Sequence, residues 1–207
     1  MHELNIPISD EEIRSLKVGD SVALTGVLVT GRDAVHKWMI ETFIRETREP
    51  QGDDLEVYEA IKPILDGSLI YHCGPVVAGL DTGDYKFVAA GPTTSIREEP
   101  YQSEVMHHFN LKGVIGKGGM AAQTLKACAD VPAAYFHAIG GAATLIAQSV
   151  EEVLTVHKLD FGVPEAIWVL KVDKFPVVVT MDSHGSSIHD EVEAKSKAML
   201  EKLLAAA

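Results

Sequence analysis

Cysteine is scarce in this chain, since only Cys73 and Cys128 occur among its 207 residues. They form neither a CxxC pair nor a disulfide framework, and such sparse usage is typical of proteins in a reducing compartment. Two cysteines cannot ligate a [4Fe-4S] cluster by themselves, because even a cluster with one open iron uses three. The histidines near the C-terminus match the spacing of no familiar metal site. We therefore expect this chain to bind no metal alone.

Long apolar runs and an excess of basic residues are also missing. No apolar run approaches the roughly 18 residues that a membrane-spanning helix needs. The N-terminus, MHELNIPISDEE, has neither the basic region nor the apolar core of a signal peptide. The formal net charge is -12, whereas nucleic acids require a clustered cationic surface. The composition predicts a cytoplasmic protein with no membrane and no nucleic-acid partner, although one or two local arginines suffice to bind a small anion.

The residues that are present suit an α/β domain. With 46% apolar residues the chain can bury a substantial core, and we find no internal repeat, linker or low-complexity tract beyond its terminal alanines. We interpret residues 1–207 as a single domain. Ser9 and Glu12 form a capping-box pattern that predicts a short helix. Apolar periodicity predicts helices over 33–47, 121–129 and 189–206, and strands over 21–30, 133–137, 151–158, 166–172 and 176–181.

Two polar turns each follow an apolar segment, in KFVAAGPTTSIR and in KGVIGKGG. In each segment the apolar residues predict a buried strand, and glycine or proline then opens a turn before a helix. Ligands of open α/β sheets bind outside the carboxyl ends of the strands, where helix N-termini attract anions. The first turn would contribute Thr93, Thr94, Ser95 and Arg97, and the second Lys117. Together these groups predict a site for a carboxylate or a phosphate.

A third segment ends in the same way. The predicted strand over 21–30 is followed by Gly31 and then by a helix whose apolar residues have helical spacing. Arg32 and His36 are four residues apart at the start of this helix, so both would lie near the strand's C-terminal end. We therefore expect them at the same edge of the sheet as the two turns.

Simpler interpretations of these residues stay open at this point. The three hydroxyls of the first turn could cap the helix that begins near Pro100, and Lys117 could be an exposed turn lysine. A phosphate loop of the GxxxxGK[ST] type is disfavoured, because Leu111 stands where its first glycine should be and Gly118 where Ser or Thr should be. A dinucleotide fingerprint fits only in a loose form and lacks the acidic residue expected about 20 positions on.

Four motifs follow one another along the chain, namely VTGRDAVHK, IYHCGP, AAGPTTSIR and GVIGKGG. Together they resemble the β subunit, or C-terminal domain, of the iron-sulfur class I fumarate hydratase and L-tartrate dehydratase family. The resemblance extends from about Gly19 to Asp182. It implies a swivelling β/β/α domain of three layers with mixed parallel and antiparallel sheet. It also implies an α2β2 assembly in which the partner α subunit binds a [4Fe-4S] cluster through three cysteines.

The resemblance implies two catalytic residues. Thr93 would be the catalytic base, and Lys117 would be the lysine at the reacting end of the substrate. A threonine hydroxyl is a poor base alone, so a neighbouring lysine or a group of the partner must help its proton leave. The chain offers no credible Lewis acid for the departing hydroxide. We therefore expect it to supply half of an active site.

The resemblance also implies four substrate-binding residues, which are Arg32, His36, Thr94 and Arg97. Ile96 departs from the family pattern, where a small residue is usual, and its bulk could reshape the pocket. The expected reaction is the reversible addition or removal of water on a C4 dicarboxylate, with fumarate to malate as the first choice and tartrate to oxaloacetate as the second. The alternative function is a non-catalytic subunit that binds anions or serves as a scaffold.

Overall fold

The computed structural model describes residues 1–205. Its strands are β1 (His2–Asn5), β2 (Ser21–Thr30), β3 (Leu69–Tyr71), β4 (Val76–Ala78), β5 (Lys86–Ala89), β6 (Gly113–Gly116), β7 (Ala134–His137), β8 (Val150–His157) and β9 (Ile167–Met181). Its α-helices are α1 (Asp10–Ser15), α2 (Asp33–Met39), α3 (Asp54–Leu65), α4 (Glu99–Phe109), α5 (Ala122–Asp130), α6 (Ala143–Ala147) and α7 (Ile188–Ala205). A π turn (Ile40–Ile44) extends α2, and a 3-10 turn (Ser95–Glu98) precedes α4.

Seven strands form the main sheet, in the order β1-β2-β3-β6-β7-β9-β8. The pairs β1–β2, β2–β3, β3–β6 and β6–β7 are parallel, whereas β9 is antiparallel to β2, β7 and β8. Val178 of β9 pairs with both Ser21 and His137, so strands β2, β3, β6, β7 and β9 close into a ring. The predicted α/β class with mixed parallel and antiparallel sheet is confirmed.

Two apolar cores lie on opposite faces of the main sheet, because successive strand residues point to opposite sides. Phe136 and Leu170 belong to one core, which also contains Phe87 from the separate two-stranded sheet of β4 and β5. Their neighbours Tyr135 and Val169 belong to the other core, which is covered by residues of α2, α3, α4 and α5. The small sheet, the main sheet and the helices thus form three layers.

The structure corrects the prediction of two strands over 166–172 and 176–181. Strand β9 is continuous over 15 residues. Both of its halves pair with β2, and the register shifts between Leu24 and Gly26, opposite the irregular point at Lys174, where φ is 50°. Such a bulge takes up an extra residue while pairing continues on either side. The polar residues at 173–174 therefore interrupt the pattern without ending the strand.

One further element differs from the predicted one. The helix predicted over 33–47 is α-helical only to Met39 and continues as a π turn to Ile44. Strand β3 belongs to the main sheet, whereas β4 pairs with β5 in the separate two-stranded sheet. As a result β5, the strand before the first polar turn, does not lie beside β6. The elements predicted over 21–30, 121–129, 133–137 and 151–158 are found within one residue of their predicted bounds.

The helices predicted near the N-terminus and the C-terminus are both present. Ser9 and Glu12 make a reciprocal capping box at the start of α1, where Ser9 N donates to Glu12 Oε2 at 2.9 Å and Glu12 N donates to Ser9 Oγ at 3.3 Å. Helix α7 begins one residue before the predicted start, and residue 206 of the prediction lies outside the described residues. Within residues 1–205, no helix is both long enough and apolar enough to cross a membrane.

Candidate functional site

A cleft of about 250 Å³ opens where the two polar turns meet the start of α2. Its lining residues are Arg32, Thr93, Thr94, Arg97, Glu98 and Lys117. The sequence singled out five of these six. The structure therefore brings together every predicted site residue except His36 and Ser95, and it adds Glu98. The Ser95 side chain is fully buried, with its hydroxyl hydrogen-bonded to His72 and Tyr135 instead.

The backbones of the two turns are joined directly. Lys117 N donates to Thr93 O at 3.1 Å, and Ser95 N donates to Lys117 O at 3.1 Å. On its other side Thr93 N donates to His72 O at 2.7 Å. Residues 93–95 thus lie alongside the end of β6 as a short parallel extension, with a bridge between Thr94 and Lys117. This pairing brings the two turns together although β5 and β6 belong to different sheets.

The hydroxyls of the first turn do not cap a helix. Thr94 occupies the N-cap position of the 3-10 turn without a side-chain capping bond, and α4 also begins without one. The Thr93 hydroxyl oxygen is buried and has no hydrogen-bond partner in the part of the chain described. Leaving a buried hydroxyl unpaired costs on the order of 1–3 kcal/mol. Thr93 therefore carries a hydroxyl that the fold itself does not use.

The second turn owes its shape to glycine. Gly118 and Gly119 have φ values of 84° and 80°, a left-handed conformation that other residues rarely adopt. A Cβ atom on Gly119 would collide with the ring of His189, which packs against this turn. The half-buried Lys117 forms no ion pair with any residue from 1 to 205. Its ammonium group is therefore available to an anion in the cleft.

Arg32 is held at the cleft by contacts distant in sequence. Its Nη2 lies 3.3 Å from Glu165 Oε1, and its Nη1 donates to Pro164 O at 3.4 Å. The guanidinium passes over Gly74, where a Cβ atom would collide with Nη1. The glycine of the IYHCGP motif thus makes room for the arginine of the GRD motif.

Arg97 forms an ion pair with Asp33, the first residue of α2. The Arg97 side chain is 62% exposed, and ion pairs between exposed side chains typically stabilise a fold by only about 0–1 kcal/mol. A carboxylate of a ligand could therefore replace Asp33 at little energetic cost. The planar guanidinium offers two parallel donors to such a carboxylate.

His36 does not line the cleft, contrary to the prediction. Its side chain is fully buried, with Nδ1 3.0 Å from Arg32 O and Nε2 3.0 Å from Gln102 Oε1. A second buried histidine, His72, lies 2.9 Å from the same Gln102 oxygen and 2.8 Å from Ser95 Oγ. Burial lowers the pKa of both histidines, so both are neutral at pH 7. His36 thus supports the backbone of Arg32 from behind the cleft.

The protonation of these histidines fixes the orientation of Gln102. A carbonyl oxygen only accepts hydrogen bonds, so His36 Nδ1 must carry a proton to donate to Arg32 O. In neutral His36 the Nε2 atom is then unprotonated, so it needs a hydrogen-bond donor. As placed, the Gln102 amide nitrogen has no partner within residues 1–205. We assign the amide in the opposite orientation, in which its NH2 group donates to Nε2 of both His36 and His72.

Sequence reasoning missed Glu98, which is only 2% exposed. Its Oε2 is buried and without a hydrogen-bond partner among the described residues. Burial raises the Glu98 pKa to about 7, although Arg97 and Arg32 act in the opposite direction. Its neighbour Glu99 instead accepts hydrogen bonds from backbone amides at the start of α5, at 2.9–3.2 Å. The local sequence REEP does not reveal that these two glutamates differ in environment, because segments distant in sequence create that difference.

The two cysteines do not suit a metal cluster. Cys73 and Cys128 are buried in opposite cores, and burial raises the pKa of each thiol to about 12. A cluster ligand must be a thiolate, which such an environment disfavours. No group of three or more His, Cys, Asp or Glu residues able to hold a metal ion occurs in the described part of the chain. These residues do not fit a [4Fe-4S] cluster.

Comparison with known proteins gives consistent matches over most of the chain. The sequence model of the family described as "Fumarase C-terminus" matches residues 2–192. A Geobacillus stearothermophilus protein provisionally named fumarate hydratase class I is 47% identical over 201 residues, which make up 97% of this chain and 35% of that protein.

Two relatives of similar length are named as β subunits. A Methanocaldococcus jannaschii protein provisionally named L(+)-tartrate dehydratase subunit beta is 38% identical over 95% of each chain. The L(+)-tartrate dehydratase subunit beta of Escherichia coli (strain K12) is 37% identical over 89% of this chain and 85% of its own. This chain thus spans most of both β subunits but only about a third of the Geobacillus protein.

Proposed function

The chain belongs to the Fumarase C-terminus family, and we propose that it is the β subunit of a hydro-lyase that reversibly adds or removes water on a C4 dicarboxylate. Its similarity in length and sequence to two tartrate dehydratase β subunits supports the subunit assignment. Fumarate and malate are the first substrate pair that we propose, and tartrate is the second. We further propose that residues 1–207 act as one domain in the cytoplasm, which the pair of unbridged cysteines supports.

The observation that carries this proposal is the cleft itself. Arg32, Arg97 and Lys117 give it three cationic groups, and Thr93 adds a buried hydroxyl without a partner. A dicarboxylate brings two negative charges, and negative charge also develops on the carbon that loses its proton. The cleft therefore has suitable groups for both ends of such a substrate and for the reacting centre between them.

Binding of the substrate is assigned to the two arginines and Thr94. Arg97 exchanges its half-buried partner Asp33 for one substrate carboxylate, which it holds with two parallel hydrogen bonds. Arg32 is anchored by Glu165 and by Pro164 O, so its guanidinium is held in position for a second anionic group. Preorganised cations of this kind need no rearrangement while the substrate reacts.

Proton transfer is assigned to Thr93 with the help of Lys117. The direct hydrogen bond between Lys117 N and Thr93 O supports this pairing, because it fixes the two residues side by side. A rotation about the Cα–Cβ bond of Thr93 turns its hydroxyl, which has no hydrogen bond to break, towards the substrate. The adjacent ammonium group stabilises the alkoxide that forms, and we assign the hydroxyl proton to a base of the partner, so that the alkoxide can take the substrate proton.

The remaining chemistry is assigned to a partner. A Lewis acid eases the departure of hydroxide, and neither buried cysteine suits a metal cluster. We assign this part to an α subunit with a [4Fe-4S] cluster, in an α2β2 assembly, where the cluster would supply the Lewis acid. The naming of two relatives as β subunits supports the presence of a partner chain.

Anaerobic co-expression with a candidate α chain tests this proposal. The purified complex would be assayed against fumarate, L-malate, tartrate isomers and C5 hydroxy-dicarboxylates, with each subunit alone as the control. We expect turnover only by the complex, and only with C4 dicarboxylates. A complex that assembles with full iron content and binds these acids without turnover would favour the non-catalytic, anion-binding alternative.

A further inference from the structure

We propose that Glu98 couples ligand binding in the cleft to protonation, so that the protein takes up a proton when a dicarboxylate enters. This inference rests on the proposed dicarboxylate site and adds a property to it. Glu98 is the one acidic residue among the six that line the cleft. It faces the same space as three cationic groups, yet it pairs with none of them in residues 1–205.

The charges around the cleft support a role for its protonation state. Three cations, Arg32, Arg97 and Lys117, line the cleft. Two carboxylates, Glu165 and Asp33, already pair with the two arginines. An ionised Glu98 would bring the local charge to zero, which favours no anion. With Glu98 protonated the local charge is +1, so a dianion enters against a net positive potential.

The surroundings of Glu98 allow its carboxyl group to gain or lose a proton near neutral pH. Its Oε2 is buried and has no hydrogen-bond partner within the described residues. Burial without a partner disfavours the ionised form and raises the Glu98 pKa to about 7. Five charged or titratable groups face it, namely Arg97 on its own turn, Arg32 before α2, Lys117 after β6, Glu165 before β9 and Tyr135 on β7.

A bound dianion adds two negative charges to these surroundings, so it raises the pKa of Glu98 above its value of about 7 in the free protein. Above pH 7 the free protein has mostly lost this proton while the complex with the ligand retains it. Binding then takes up nearly one proton at pH 8 and little at pH 6. With a free-protein pKa of about 7, linkage predicts an affinity about tenfold weaker at pH 8 than at pH 6.

Succinate is the suitable probe, because it has the two carboxylates of a C4 substrate but neither a double bond nor a hydroxyl to react. Its binding to the full chain, alone and in the αβ complex, would be measured by calorimetry at pH 6, 7 and 8. Two buffers with different enthalpies of ionisation give the number of protons taken up. The Glu98 side-chain pKa of the free full chain would be measured by carbon-13 NMR.

The variants are Glu98→Gln and, as a matched control, Glu11→Gln on the exposed surface of α1. We expect Glu98→Gln to bind succinate with an affinity that changes less than twofold from pH 6 to 8 and with no proton uptake. Glu11→Gln should behave like the wild type. A Glu98 carboxyl that titrates below pH 5.5 in the free chain would overturn the inference.

Two binding results would also overturn the inference, and they differ in whether they leave the proposed dicarboxylate site intact. Succinate binding without proton uptake at pH 8 removes the role of Glu98 but leaves the dicarboxylate site intact. No succinate binding by the chain or the complex at any pH removes both the coupling and the proposed substrate class.

Discussion

Replacing Thr93 by valine separates a catalytic from a structural role for this residue. Valine has nearly the shape of threonine but carries a methyl group in place of the hydroxyl. Because the Thr93 hydroxyl is buried without a hydrogen-bond partner in the described residues, the fold loses no bond when it is removed. The desolvation cost of that hydroxyl, on the order of 1–3 kcal/mol, is removed at the same time.

The expected stability change follows from this geometry. We expect Thr93→Val to leave the free energy of unfolding unchanged or to raise it by about 1 kcal/mol, which corresponds to roughly 2–4 °C in Tm for a chain of this size. A capping hydroxyl would give the opposite result, since loss of a cap typically costs about 1 kcal/mol. Thermal unfolding of the full chain, followed by circular dichroism, distinguishes the two.

The same substitution should abolish most of the activity. If Thr93 transfers the substrate proton, kcat of the αβ complex should fall by about 10² to 10⁴, the usual range for lost general acid-base catalysis, with KM near the wild-type value. Thr93→Ser, which keeps the hydroxyl, should recover part of the rate. Iron content must match in all complexes, because cluster loss would imitate a catalytic defect. Near-normal kcat in Thr93→Val, or a Tm lowered by several degrees, would refute the reasoning.

Three further substitutions or conditions test other parts of the structure. Arg97→Lys should lower kcat/KM about thirtyfold, because an ammonium group cannot form the two parallel hydrogen bonds of a guanidinium group. The free energy of unfolding of the free chain should change by less than about 0.5 kcal/mol. An unchanged kcat/KM would remove Arg97 from the site. Gly116→Ala should lower the free energy of unfolding in urea by more than about 1 kcal/mol, because the new Cβ atom would collide with Ser95 Oγ. Wild-type stability of this variant would show that the Ser95 side chain can move aside. Burial alone raises the Asp54 pKa, but hydrogen bonds from Lys158 and two other donors bring it to about 2, below its ordinary 3.8. This carboxylate therefore stabilises the fold above pH 4, and the stabilisation is lost as pH falls towards 2. Urea unfolding at pH 5 and pH 2.5 should show this loss in the wild type and a smaller one in Asp54→Asn, and equal losses would contradict it.

Features with a local physical cause could be predicted from the sequence. The capping box of Ser9 and Glu12 depends on side chains three residues apart, so the pattern alone indicates the helix start. Glycine and proline indicated the two polar turns in the same way, because both residues commonly end strands and open turns. The cleft residues Arg32, Thr93 and Lys117 follow these local signals, and the structure brings all three to one cleft. Their catalytic and binding roles stay predictions.

Features that depend on distant partners could not be predicted. Strand β9 is continuous because β2 pairs with both of its halves, and no pattern within 166–181 reveals that partner. His36 has the spacing of a cleft residue, but its ring turns inward to Gln102, 66 residues away. Glu98 is indistinguishable from Glu99 in sequence, although one is buried without a partner and the other binds the start of α5.

The sequence by itself thus determined which turns carry the polar groups, since turn geometry and side-chain chemistry are properties of a few adjacent residues. Only the tertiary structure decided the protonation and pairing of those groups. Arg97 meets Asp33 from 64 residues away, and Arg32 meets Pro164 from 132 residues away. The physical reason is that burial and charge are set by every segment that packs around a site, and these segments become neighbours only when the sheet closes.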